Sequence, residues 1–105
     1  MRFLVTSTPK FQIPPQLAPT MITAMEEWVK RHTADKKLEQ TWGFARGGGG
    51  GILNVASHEE LSEILTQIPF MPFSDMHVEP LVPIEVGLKN LRQAAARMSQ
   101  PAQVA

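Results

Sequence analysis

A chain of 105 residues with 43% hydrophobic and 19% charged residues is long enough for one domain with a modest core, and too apolar to be disordered. Ten basic residues balance ten acidic ones and are interspersed with them, which argues against a nucleic-acid partner. The chain has no cysteine, which removes disulfides, thiolate nucleophiles and cysteine-ligated metals. Met1–Thr6 is too short for a signal-peptide core, and no run approaches the roughly 18 apolar residues of a membrane helix. The expectation is a cytoplasmic protein without a membrane partner.

Residues 2–7 are β-rich and predict a first strand. Pro9, Pro14 and Pro15 impose an extended connection, and Pro19 suits the first turn of a helix, where its missing N–H costs nothing. Met21, Met25, Trp28 or Val29, and His32 then recur at helical spacing up to an end near Asp35. Alternation of Leu38, Gln40, Trp42 and Phe44 with Glu39, Thr41, Gly43 and Ala45 predicts a second strand. The glycine run Gly47–Gly51 reads as a mobile hairpin turn into a short third strand, Ile52–Val55. It is not a phosphate loop, because neither a Gly-Lys-Ser/Thr nor a helix N-terminus follows it.

Ser57 and Glu60 make a capping box for a second helix with the stripe Leu61, Ile64, Leu65 and Ile68, stopped by Pro69 and Pro72. Phe73 to Val82 predicts the fourth strand, with Pro80 marking an edge or a bulge. Ile84, Leu88, Leu91, Ala95 and Met98 form the apolar stripe of an additional helix, and Ser99–Ala105 reads as a frayed tail. The division is residues 1–83 as an α+β domain and 84–105 as C-terminal helix and tail.

The order βαββαβ plus a helix puts both long helices on one sheet face. The other face needs a cover, and the cheapest one is a second copy, sheet against sheet, as a dimeric α/β barrel.

On the fourth strand Phe73, Asp75, His77, Glu79 and Leu81 share one side, and the more apolar Ser74, Met76, Val78, Pro80 and Val82 share the other. The second set is assigned to the helix-covered core and the first to the barrel interior. His77 is a candidate acid/base and Asp75 its orienting partner. The bland alternative is a solvated strand face. Trp42, Phe44 and Arg46 share one face of the second strand; Trp42 is a candidate substrate contact or interface residue, and Arg46 a candidate carboxylate anchor. Phe70, Met71 and Phe73 are candidate apolar pocket walls. His32 reads as a packed helix residue and His58 as an exposed first-turn residue. No histidine pair has ligand spacing, so no metal is expected.

The stretch Trp42 to Leu81 resembles muconolactone isomerase and its small relatives of the dimeric α/β-barrel superfamily. The resemblance is carried by Ser57, Glu60-Leu61, Leu65, the run Ile68-Pro69-Phe70-Met71-Pro72-Phe73-Ser74-Asp75, Val78 and Leu81. With Pro14-Pro15 and the strand at Trp42 it touches residues 1–83. It implies a ferredoxin-like βαββαβ fold and a homodimer or higher homo-oligomer. It also implies a cofactor-independent isomerase acting on an unsaturated lactone or similar carboxylated compound, with ligand contacts from Trp42, Arg46, Phe70, Phe73 and Glu79. Non-catalytic small-molecule-binding or assembly modules and cofactor-free oxygenases are the alternatives on the same fold. The glycine-rich hairpin, His77 in a position often acidic, and the long C-terminal helix depart from the relatives.

Overall fold

The computed structural model describes residues 1–99. Its elements run β1 (Arg2–Pro9), α1 (Ala18–Ala34), β2 (Leu38–Gly43), β3 (Gly49–Asn54), α2 (His58–Thr66), a 3₁₀ turn (Met71–Phe73), β4 (Ser74–Leu81) and α3 (Ile84–Met98). The sheet order is β2-β3-β1-β4 with every pairing antiparallel, the ferredoxin-like arrangement expected from the element order. The tail beyond Ser99 lies outside the described residues.

One face of the sheet carries the core. Phe3 and Val5 of β1, Leu38 of β2 and Leu53 of β3 meet Trp28 of α1 and Leu61 and Ile64 of α2, with Val55 and Ile68 closing the cluster. Leu53, 1% exposed, is the most deeply buried of these side chains. Trp28 joins the two helices, donating its indole N–H to the Ile64 carbonyl at 3.2 Å. Ser57 caps α2 by accepting the Glu60 N–H at 3.1 Å, while the Glu60 carboxylate accepts from the N–H of Ala56, one residue before the cap. Both strand edges fit their sequences: β4 is an outer strand, so Pro80 loses no ladder bond on its free side.

The glycine run departs from the expectation of a turn. Only Gly47 and Gly48 turn, both at positive φ (+104° and +82°). Gly49–Gly51 belong to β3, paired on one side with β1 and on the other with β2. The turn is therefore 44–48, closed by Phe44 N–H to Gly48 O at 3.0 Å and Gly47 N–H to Phe44 O at 2.9 Å. Low strand propensity is overridden here because two neighbouring strands hold the backbone between them. Phe73 also moves: it closes the 3₁₀ turn and precedes β4.

α3 stands apart. It has no buried residue and makes no extensive contact with any other element. The molecule accordingly measures 66 × 29 × 25 Å with a radius of gyration of 18.8 Å, against about 13 Å for a compact chain of this length.

Candidate functional site

Strand alternation sorts the side chains of the sheet. Val5 faces Gly51, Ser7 faces Gly49, and on the other side Ser7 faces Met76, all on the helix-covered face. Gly49 and Gly51 put no side chain on this end of the face; Leu38 leans over Gly51, its Cδ1 2.9 Å from where a Cβ would stand, while the nearest neighbours of Gly49 are backbone. The result is a cavity of about 540 Å³ between α1, the sheet and the segment from Ile68 to Ser74. Its depth is set by Val5, Trp28, Leu38, Leu53 and Ile68, all buried; its rim is set by exposed Phe11, Trp42 and Gly48. That size suits a small organic molecule.

The residues expected at the site divide between the two faces. Phe70 and Phe73 line the cavity, and Trp42 touches its edge from β2 with its indole laid across Gly50 on the open face. Asp75, His77 and Glu79 do not: they lie opposite Thr8, Thr6 and Leu4, on the open face that no helix covers, and all three are exposed. Asp75 sits 3.5 Å from Lys10 Nζ, and among the described residues no hydrogen bond joins it to His77. Arg46 lies beyond the end of β2 and stacks its guanidinium 5.1 Å from the centre of the Phe44 ring, away from the cavity lining.

Several lining residues escaped the sequence reading, among them Ser7, Met25, Val29 and Met76. Met25 and Val29 lie on the apolar stripe of α1 and read simply as core. The available signal was the glycine run, since alternate glycines on a strand facing helices leave volume that other side chains must frame.

A second polar feature lies away from the cavity lining. His32 is 5% exposed and edge-on to Trp28, with centroids 5.0 Å apart. Its Nδ1 is 3.0 Å from Asp35 Oδ2, while its Nε2 is buried and has no hydrogen-bond partner among the described residues. Burial works to raise the Asp35 pKa, but hydrogen bonds from the Lys37 N–H and from His32 outweigh it and hold the carboxyl below its ordinary value.

A profile of the muconolactone delta-isomerase family matches residues 1–84, the whole α+β body up to the first residue of α3. The chain belongs to the muconolactone delta-isomerase family. Eight chains of solved structures match it as well. One is the crystal structure of a muconolactone isomerase, with a TM-score of 0.73 and 24% identity over 79% of this chain and 90% of that one. At that identity the likeness establishes the fold. No curated protein matches the chain. In this family member most of α3 falls beyond the matched segment. Among the described residues no helix is long and apolar enough to cross a membrane.

Proposed function

We propose that the protein is a cofactor-independent isomerase that takes an unsaturated lactone or similar carboxylated compound into the helix-face cavity and moves a proton on it. The observation that carries this reading is the cavity itself, of ligand size, in a chain of the muconolactone delta-isomerase family. Moving a double bond next to a carbonyl requires a base to take the α-proton and an acid to return it at the new carbon. Ionisable groups next to lining residues along the chain include Lys10, between Pro9 and Phe11, Glu26, Lys30, Lys37, Glu39, and Asp75, next to Ser74. His77 and Asp75 project from the open face, on the other side of the sheet from this cavity, and reach a substrate only where it binds on that face under a second copy. The same reading places the protein in the cytoplasm as a homodimer or higher homo-oligomer, with the sheet's open face and α3 supplying contacts.

A second reading, a non-catalytic binding module, is favoured by one observation: among the described residues no ionisable side chain lines the cavity. Proton-exchange NMR separates the two. Unsaturated lactones are incubated with the protein in deuterated buffer. Protein-dependent deuterium incorporation or double-bond migration supports the isomerase, and a loss of at least about tenfold in Asp75→Asn or His77→Ala assigns the acid/base step to the open face. Turnover that survives both substitutions overturns the acid/base assignment. Binding without exchange supports the module.

A further inference from the structure

The apolar residues of α3 repeat with the spacing of a coiled-coil seam. Ile84, Leu88, Leu91, Ala95 and Met98 follow one another at steps of four, three, four and three residues. Leu88 and Ala95 thus take a positions of a heptad, and Ile84, Leu91 and Met98 take d positions. All are exposed, Ile84 and Leu91 by 68% and 67%. The body does not account for the stripe, since α3 has no buried residue and no extensive contact with another element. Gly87 stands inside the helix with open space where a Cβ would be, so its own chain gives no reason for a residue that weakens helices. Glu85 and Arg92, at the e positions beside the seam, form no salt bridge among the described residues.

We propose that α3 pairs antiparallel with α3 of a second copy. This rests on the reading of α3 as a contact between copies, and not on the cavity. In an antiparallel pair each a residue meets a d residue of the other helix. The register that sets Ile84 of one copy against Ala95 of the other, and Leu88 against Leu91, buries the seam of both helices. The flanking positions decide the orientation. In that register the e positions face one another on one side, Glu85 of each copy against Arg92 of the other, and the twofold axis makes the contact twice. The g positions face one another on the opposite side and bring Gly87 against Ala94, small residues that let the two backbones approach. A parallel pair sets e against g instead, which leaves Arg92 opposite Gly87 and Glu85 without a basic partner. Exposed ion pairs add little affinity, but the reversed arrangement would set like charges together, so they select the partner's direction. Val86 lies outside the seam and stays exposed in the pair.

The test is a charge reversal and its rescue in the full chain, with the association midpoint read by light scattering over a range of concentrations. Glu85→Arg sets arginine against arginine twice and is expected to raise the midpoint concentration at least about tenfold. Glu85→Arg/Arg92→Glu restores both pairs and is expected to return it to within about threefold of the parent. A double variant no better than the single one overturns the pairing, because damage to the start of the helix is common to both. Orientation is read separately. The chain has no cysteine, so a spin label attaches only at an introduced one. Labels in Lys89→Cys lie beside the twofold axis, whereas those in Arg97→Cys are about 22 Å apart along the helices at about 1.5 Å per residue. The shorter distance is expected for Lys89→Cys, and equal distances at the two positions mean a parallel pair and overturn the proposal. A midpoint unmoved by Glu85→Arg overturns the α3 pairing and leaves association through the sheet face standing. A parent chain that stays monomeric at every concentration overturns the self-contact reading of α3 and the pairing with it.

Discussion

The indole of Trp42 lies across Gly50 on the open face of the sheet: a Cβ built on Gly50 would stand 3.1 Å from Trp42 Nε1 and 3.2 Å from Cε2. Trp42 is 39% exposed and shares this face with Leu4, Ile52 and Leu81, so the ring is the largest apolar element of a surface that no helix covers. Gly50→Ala is expected to displace the ring, at a cost of about 1 kcal/mol in urea unfolding and with a changed tryptophan emission. The proposed self-association through this face, read by light scattering at several concentrations, should weaken along with it.

Gly48 is a stricter case. It turns the β2–β3 hairpin at φ +82°, and a Cβ there would collide with the carbonyl oxygen of Ser7, which is backbone and has nowhere to go. Gly48→Ala should cost about 2–3 kcal/mol, more than Gly50→Ala, because left-handed strain and a backbone clash add. Urea midpoints of the two variants check the order.

Lys36 gives the opposite sign. It is the residue after the α1 cap and sits at φ +64°, the left-handed position that usually ends a helix with glycine. Lys36→Gly relieves that strain and should stabilise the protein by up to about 1 kcal/mol, seen as a higher urea midpoint with an unchanged slope.

Asp35 links stability to acid. Its folded pKa is lowered, so its contribution is complete above the ordinary carboxylate range and is lost as pH falls through the folded value. Asp35→Asn should therefore flatten the acid limb of a stability-against-pH curve below about pH 4, leaving the slope above pH 5 unchanged. Urea titrations at intervals from pH 3 to 7 measure it.

Much of the body was legible because its residues obey one rule at a time. The alternation of Asp75, His77 and Glu79 against Met76 and Val78 assigned the faces of β4, and the structure keeps that division. Ser57 and Glu60 announced α2 through capping chemistry. The location of the cavity was not legible. It arises because Gly49 and Gly51 lack side chains under α1, and a glycine run read locally means a turn; only pairing with β1 and β2, non-local contacts both, makes it a strand. His32 shows the same limit in reverse. Its stripe position marks it as packed, but the unpartnered Nε2 depends on what α1 meets in three dimensions.

α3 carries Leu88, Leu91 and Met98 at 57%, 67% and 87% exposure with no extensive contact to the body. A chain ending at Pro83 should retain the urea midpoint of the body and lose the proposed self-association, since removing an unsupported helix costs the monomer no core. Light scattering and unfolding on the same sample measure both.

The central claim is that the helix-face cavity is where a small molecule binds. Of the six methionines, Met25 and Met76 line that cavity, while Met1, Met21, Met71 and Met98 do not. A titration of methyl-labelled methionine protein with an unsaturated lactone, followed by NMR, addresses the claim directly. The account predicts saturable shifts at Met25 and Met76, with Met1 and Met98 unmoved. Saturable shifts confined to methionines outside the lining, with Met25 and Met76 unmoved, would contradict it.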